Sequence, residues 1–286
     1  MGDGLAGAWH PERQRHDMGL TIHYQLATAG NEAHSRKLVQ QLREAALDLP
    51  FQRVGDITEF RGGQCDWNQR AKDDPHRWLL IQATSHIALP VKPWEKRQGI
   101  TREMDVAPLQ VIVFVTGPGD GCEPANFGLC RFPSEVSHPE FGKLQTKLKG
   151  WSWSSFCKTH YASDPRCGGL PNFLRCHLGV VALLDEAKKL GFLRKVSDEG
   201  EFWETRSLER LTKEVGEQSA MLASFLGALK DAVGQASDGV VRLEAPIAGY
   251  PNFEHLEAEG QRLLPAQLKA VLKALTRSRP PRRGTR

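Results

Sequence analysis

Apolar side chains recur along this chain with a period of two in some stretches and of about 3.6 in others, which separates strands from helices. Residues 19–28 alternate apolar and polar side chains, so they are predicted to form a half-buried strand. Residues 31–49 place Leu38, Leu42 and Leu49 at helical spacing, and the proline that follows ends the predicted helix. The ordered part of the chain is therefore expected to begin with a strand and a helix.

The same two periods assign the rest of the chain. Further strands are predicted at 53–60, 78–89, 109–116 and 151–162, and further helices at 172–190, 207–233 and 264–275. Residues 109–116 are apolar on both faces, which places this strand in the interior of a sheet. The order of elements predicts an α+β fold, with a mixed or antiparallel sheet packed with helices and a helical C-terminal extension.

Composition and turn residues divide the chain into four parts. We expect a mobile N-terminal extension at 1–17, an α+β domain at 18–234, a loop and short helix appended at 235–275, and a basic disordered tail at 276–286. The apolar positions of 207–233 approach a heptad spacing. This helix is therefore predicted either to pack on the chain's own sheet or to form a homodimer.

The sequence indicates a cytoplasmic protein with no membrane partner. No apolar run approaches the roughly 20 residues that span a bilayer. The first residues lack the apolar segment of a secretory signal. In that compartment the six cysteines are expected to be thiols or metal ligands rather than a disulfide framework.

The net charge of +4 is concentrated at one end of the chain. Residues 275–286 contain five arginines and no acidic residue, so subtracting five charges from +4 leaves −1 for the remainder. A nearly neutral body argues against a nucleic-acid-binding face across the fold. Any binding of nucleic acid is therefore expected in the basic tail.

His177 lies on the apolar stripe of the predicted helix 172–190, about one turn from its N-terminus. The positive end of the helix favours the neutral imidazole there, which suits a metal ligand or a proton-transfer group. The alternative is a core histidine whose ring is satisfied by a hydrogen bond to a backbone carbonyl.

Polar side chains share a face on each of two predicted strands. His23 and Gln25 lie on one face of the first strand, and Gln82, Thr84 and His86 lie on one face of a later strand. If these strands are neighbours, the two histidines meet on a concave surface of the sheet. If they are not, both faces are ordinary solvated faces of an antiparallel sheet.

Cysteines and histidines between 157 and 177 offer nitrogen and sulfur donors for zinc. These residues are Cys157, His160, Cys167, Cys176 and His177. Their spacing matches no standard zinc motif, and the alternative is a set of small buried thiols.

The segment 196–206 is acidic. Its carboxylates belong to Asp198, Glu199, Glu201 and Glu204. Carboxylates bind hard cations or act as acids and bases, whereas a short charged run is also typical of a solvated turn. Glu204 is the strongest candidate of the four because it directly follows a tryptophan and precedes the next helix.

Four sequence segments carry a resemblance. They are LTIHY at 20–24, CEP at 122–124, CKTHYA at 157–162 and SDEGEFWET at 197–205. Together they resemble a bacterial family of uncharacterised proteins with a Leu-x-Ile-His-Tyr strand, Lys-Thr-Gln-Tyr-Ala before a helix and Asp-Glu-Gly-Gly-Tyr-Trp-Glu-Thr after it. Here His160 replaces the glutamine and Glu201-Phe202 replace Gly-Tyr.

The resemblance covers about residues 19–205 and implies no reaction. It implies only that certain polar residues match motif positions of the family. These are His23, Glu123, Lys158, Thr159, Asp198, Glu199 and Glu204.

Two functions of different classes remain. The first is a hydrolase that depends on a divalent metal. Its predicted catalytic residues are His23, Lys158, His177 and Glu204, and its predicted metal ligands are His23, His177, Asp198 and Glu199. The second is a non-catalytic interaction or regulatory protein that uses an aromatic surface and the helix 207–233. Convergence of His23, His177 and Glu204 in one pocket would favour the first.

Overall fold

The computed structural model of the protein describes residues 20–234 and 256–258. Its strands are β1 (Thr21–Thr28), β2 (Arg53–Val54), β3 (Thr58–Arg61), β4 (Ser85–Ala88), β5 (Glu103–Val106), β6 (Gln110–Gly117), β7 (Ala125–Arg131), β8 (Glu135–His138), β9 (Gly142–Gln145), β10 (Trp151–Lys158) and β11 (Leu193–Asp198). Its helices are α1 (Glu32–Leu47), α2 (Arg77–Ala83), α3 (Pro93–Arg97), α4 (Gly169–Lys189), α5 (Phe202–Thr205) and α6 (Leu208–Gly234).

The main sheet is antiparallel throughout and has the strand order β11-β1-β10-β7-β6. Both β2 and β3 pair with the outer edge of β6. Two separate hairpins, β4–β5 and β8–β9, lie apart from this sheet. The predicted α+β class with an antiparallel sheet is confirmed.

Helices α1 and α4 cover one face of the sheet. Ile22, Tyr24 and Leu26 of β1 are at most 1% exposed and belong to the main core cluster. The helices contribute Leu38, Val39, Leu42, Val180, Leu183, Leu184 and Ala187 to the same cluster. Complete burial of a large aliphatic or aromatic side chain stabilises a protein by about 1.5–3 kcal/mol, so this layer fastens both helices to the sheet.

Local signals set the ends of these helices. The side chain of Asn31 accepts a hydrogen bond from the backbone N–H of His34 and caps α1. Gly168 precedes α4 with a φ of 105°, a left-handed conformation that glycine adopts without strain.

The predicted strand at 78–89 is wrong in its first half, because Arg77–Ala83 form α2 and only Ser85–Ala88 form a strand. Leu79, Leu80 and Ala83 are buried. Their spacing of one, three and four residues places them on the same side of a helix. A short apolar run fits either period, and here packing selected the helix.

Other elements differ from prediction in their extent. The predicted strand at 53–60 is divided into β2 and β3, and the predicted strand at 151–162 ends at Lys158 before a 3₁₀ turn, His160–Ser163. The acidic segment forms the end of β11, a turn and the short helix α5.

Several predictions lie outside the described residues. These are the extension at 1–17, the helix at 264–275, the tail at 276–286 and all of 235–275 apart from the helical residues 256–258. Within the described ranges, no helix combines the length and apolar character needed to cross a membrane.

Candidate functional site

A polar cavity of about 270 Å³ lies on the face of the sheet opposite α1 and α4. It is lined by His23, Tyr24, Gln25, Ile81, Gln82, Thr84, His86, Ser154, Ser155, Phe156, Lys195 and Ser197. We call this cavity the sheet groove. It contains both histidines and both glutamines that the sequence placed on two polar strand faces.

Three neighbouring strands, β1, β10 and β11, build the floor of the sheet groove. His23 lies opposite Phe156 on one side and opposite Ser197 on the other. Directly opposite residues of antiparallel strands share a face, and here that face is the reverse of the one that Tyr24 turns to the core. The ring centroids of His23 and Phe156 are 5.8 Å apart, so an aromatic ring packs beside the imidazole.

The next pair along these strands continues the floor. Gln25 lies opposite Ser154 in β10 and opposite Lys195 in β11. His23 and Lys195 are therefore diagonal neighbours, whose backbones are about 7–8 Å apart in an antiparallel sheet. An oxyanion above the floor can contact both side chains.

Helix α2 and strand β4 form the wall. The side-chain amide of Asn126 in β7 donates to Gln82 Oε1 over 2.5 Å, which ties the end of α2 to the sheet. Further along the wall, His86 Nδ1 lies 2.8 Å from Asp105 Oδ1 of the paired strand β5. A carboxylate accepts hydrogen bonds, so in this contact Nδ1 of His86 is the donor and Nε2 is the acceptor atom of the neutral ring.

A second polar cluster is buried on the opposite face of the sheet. His177 Nε2 lies 3.1 Å from Asp198 Oδ2, and His177 Nδ1 lies 3.0 Å from Thr159 Oγ1. The side chains of His177 and Asp198 are completely buried. Asp198 also accepts hydrogen bonds from the backbone N–H groups of Gly200 and Trp203, at 2.9 Å each.

The pKa of Asp198 lies below its usual range. Burial alone would raise the pKa, but the hydrogen bond and charge of His177, together with two backbone donors, outweigh that effect. These contacts join α4, the end of β11 and the turn after β10. His177 is therefore a buried, hydrogen-bonded histidine, but its partners are the side chains of Asp198 and Thr159 rather than the expected backbone carbonyl.

The remaining predicted site residues do not join His23 or His177 in a common pocket. Lys158 is half-buried at the end of β10, and Glu199 accepts a hydrogen bond from Thr21 N over 2.8 Å. Glu204 is exposed on α5, where loss of solvation and the charges of Asp198 and Glu201 raise its pKa. Since His23 lines the sheet groove and His177 faces the core, these two side chains do not show the convergence that would have favoured a hydrolase.

All six cysteines are free thiols. Cys65, Cys130, Cys157 and Cys176 are buried, and Cys122 and Cys167 are partly exposed. Hydrogen bonding among Cys122, Cys157 and Cys176, together with burial, holds the pKa of Cys122 and of Cys176 well above the usual range. These thiols remain protonated at neutral pH, which does not favour the thiolate form that nucleophiles and zinc ligands need.

The described residues do not fit a resident metal ion. In 20–234 and 256–258, no group of three or more His, Cys, Asp or Glu side chains is arranged to hold one. Of the predicted ligands, His177 and Asp198 are in contact, but they bind each other and three further groups, Thr159 Oγ1 and the backbone N–H groups of Gly200 and Trp203. We derive no step through a metal.

No protein-family model, curated protein or solved structure matches this chain. The resemblance based on the sequence segments stays a prediction. The function is therefore inferred from the geometry of the sheet groove.

Sequence reasoning missed several side chains on the floor of the sheet groove. The missed residues are Ser154, Phe156, Lys195 and Ser197, with Asp105 behind His86. Ser154 and Phe156 lie two positions apart in sequence, as do Lys195 and Ser197. The same two-residue alternation singled out His23 and Gln25. The strand order β11-β1-β10, which brings these residues together, is not encoded in any local pattern.

Proposed function

We propose that the sheet groove binds a small ligand that carries an oxyanion. This oxyanion is a phosphate or a carboxylate. The observation that supports this proposal is the convergence of His23, His86 and Lys195 on one cavity. Each side chain is a hydrogen-bond donor that carries or can carry positive charge.

The neutral lining residues complete an anion site. Side-chain hydroxyls and amides also line the cavity, namely those of Gln25, Gln82, Ser154 and Ser197. Hydrogen bonds from charged donors to oxyanions are roughly twice as strong as neutral ones, and the hydroxyls add directional contacts. Pockets for drug-sized ligands enclose about 300–1,000 Å³, so a cavity of about 270 Å³ suits a ligand of one phosphorylated or carboxylated unit.

The other predictions have less support from the described residues. A divalent-metal-dependent hydrolase with His23, His177, Asp198 and Glu199 as ligands stays a prediction. It has less support because His23 lines the sheet groove, whereas His177 and Asp198 contact each other on the opposite face of the sheet. A non-catalytic interaction protein, a homodimer through α6 and a cytoplasmic location also stay predictions.

Calorimetric titration of the full-length protein with inorganic phosphate and with citrate tests the proposal. We expect saturable binding of at least one of them, weakened roughly 10- to 100-fold in His23→Ala and in Lys195→Ala, since a hydrogen bond to a charged group contributes about 1.5–3 kcal/mol. The matched controls are His138→Ala and Lys143→Ala on the β8–β9 hairpin, which should bind like the unaltered protein. Equal losses in the control variants, or no binding of either anion, would contradict the proposal.

A further inference from the structure

We propose that the sheet groove cleaves RNA phosphodiester bonds by transfer to the adjacent 2′-hydroxyl, with His86 as base, His23 as acid and Lys195 as the charge-stabilising group. This inference rests on the oxyanion site proposed above and assigns it a substrate class and a reaction. Two imidazoles and one ammonium group around a phosphodiester supply every proton transfer that this reaction needs.

The two histidines approach the cavity from different elements. His23 belongs to the floor strand β1, and His86 belongs to the wall strand β4. A phosphate on the floor therefore has one imidazole below it and another beside it. In-line displacement places the attacking and leaving oxygens on opposite sides of the phosphorus atom, so it suits an acid and a base that come from different elements.

The Asp105 contact determines the role of His86. With Nδ1 donating to the Asp105 carboxylate over 2.8 Å, the lone pair of the neutral ring is on Nε2, and the side chain lines the sheet groove. A lone pair accepts a proton, so His86 is the base. His23, beside Phe156 on the floor, is then the acid.

The reaction balances without a co-reactant. His86 takes the proton of the ribose 2′-hydroxyl while the 2′ oxygen forms a bond to phosphorus. The bond from phosphorus to the 5′ oxygen breaks, and protonated His23 donates its proton to that oxygen. Lys195 stabilises the negative charge that develops on the non-bridging oxygens. The products are a 2′,3′-cyclic phosphate and a free 5′-hydroxyl.

The size of the cavity limits the substrate to a short segment. About 270 Å³ accommodates a phosphodiester and part of one nucleoside, and the ring of Phe156 provides an apolar surface at the floor. Aromatic rings stack on bases with little dependence on sequence. Recognition of one phosphodiester agrees with the net charge of −1 outside the last twelve residues, which argues against a long nucleic-acid-binding face.

Cleavage of the ribodinucleoside phosphate UpA by full-length protein, followed by ³¹P NMR, tests the inference. We expect the signal of a 2′,3′-cyclic phosphate, formed equally well with EDTA present. The rate should fall at least about 100-fold in His23→Ala and in His86→Ala, in line with the usual contribution of acid–base groups. Lys195→Ala should lose about 100-fold, as for removal of a group that stabilises developing charge. His138→Ala, purified identically, should cleave like the unaltered protein and serves as the control.

The 2′-deoxy analogue of UpA separates this inference from the proposed function. It should bind in the groove without being cleaved, since it lacks the attacking hydroxyl. Binding of the analogue without cleavage of UpA would overturn the inference and leave the oxyanion site standing. Cleavage unaffected by the His23 and His86 substitutions, or abolished by EDTA, would also overturn it. Absence of binding by both molecules and by inorganic phosphate would overturn both proposals.

Discussion

His160 lies in the turn just beyond β10, and His177 lies in α4. Both side chains are buried, but their ring nitrogens have opposite surroundings. Both ring nitrogens of His177 lie within hydrogen-bonding distance of a buried partner. Among the described residues, neither ring nitrogen of His160 has a partner. Burial, reinforced by the charge of Lys158, lowers the pKa of His160 to about 4. The fold therefore keeps this imidazole neutral at pH values where an unfolded chain would protonate it.

Replacement of His160 by glutamine should change how stability depends on pH. Above pH 6.5, the ordinary pKa of histidine, both states are neutral at this position and it contributes no pH dependence. Between pH 6.5 and about 4 only the unfolded state binds the proton, so stability falls as pH falls. At 1.36 kcal/mol per unit, the loss amounts to about 3 kcal/mol. Urea unfolding at pH 7 and at pH 4.5 should show a smaller decrease for His160→Gln than for the unaltered protein. Identical decreases would contradict this account.

Residue-level reasoning placed His177 correctly but not its partners. Its position on an apolar stripe at helical spacing predicted burial, and the side chain is fully buried. Its partners are 21 and 18 residues away in sequence, at Asp198 and Thr159. Leaving a buried hydrogen-bonding group without its partner typically costs about 1–3 kcal/mol, so this contact is a strong structural constraint. No periodic pattern reports such a contact, because it depends on how β11 and β10 meet α4.

At the scale of elements, long periodic segments were predictable and short ones were not. Strand β1 and helices α1, α4 and α6 repeat their apolar positions over eight residues or more, and all four were predicted. Helix α2 was taken for a strand because its seven residues fit both periods. The hairpin β8–β9 was missed because its strands of four residues are mostly exposed and carry no apolar repeat.

The glycine-rich loop at 117–124, before β7, is tied to α4 by hydrogen bonds from Arg175 and Asn172 to the carbonyls of Pro118 and Asp120, and it also passes close to a neighbouring backbone. Gly121 has a φ of +78°, and a Cβ built there would lie 2.4 Å from the backbone oxygen of Tyr161. Only a residue without a Cβ fits at this position, where the loop backbone passes directly beside the turn that carries Thr159 and His160.

A pair of glycine substitutions should separate contact from conformation. Gly142 in β9 also has positive φ, +65°, but a Cβ there would meet no atom within 4 Å. Gly142→Ala should therefore cost only the left-handed strain, about 1–2 kcal/mol. Gly121→Ala adds overpacking against backbone and should cost at least about 1 kcal/mol more. Chemical denaturation of both variants measures the difference, and equal stabilities would mean that the loop adapts without cost.

At the scale of the whole molecule, the sheet separates two polar clusters that the sequence had combined into one site. One face carries the buried cluster of His177, Asp198 and Thr159, and the other carries the sheet groove with His23 and His86. Alternation along β1 and β11 predicts which residues share a face. It does not predict which strands are neighbours. The sequence could therefore group His23 with His86 only on the condition that their strands are adjacent, and it did not identify Lys195.

The central claim is that His23 and His86 contact a bound oxyanion, and ring-selective NMR tests it most directly. Titration of full-length protein with inorganic phosphate, followed by ¹H–¹³C correlation of the histidine rings, should shift the His23 and His86 signals along one saturable curve. The signals of His138 on the β8–β9 hairpin and of buried His177 should not move, and single His→Gln variants assign each signal. If His23 and His86 do not shift, or shift no more than His138, the oxyanion site in the sheet groove is contradicted.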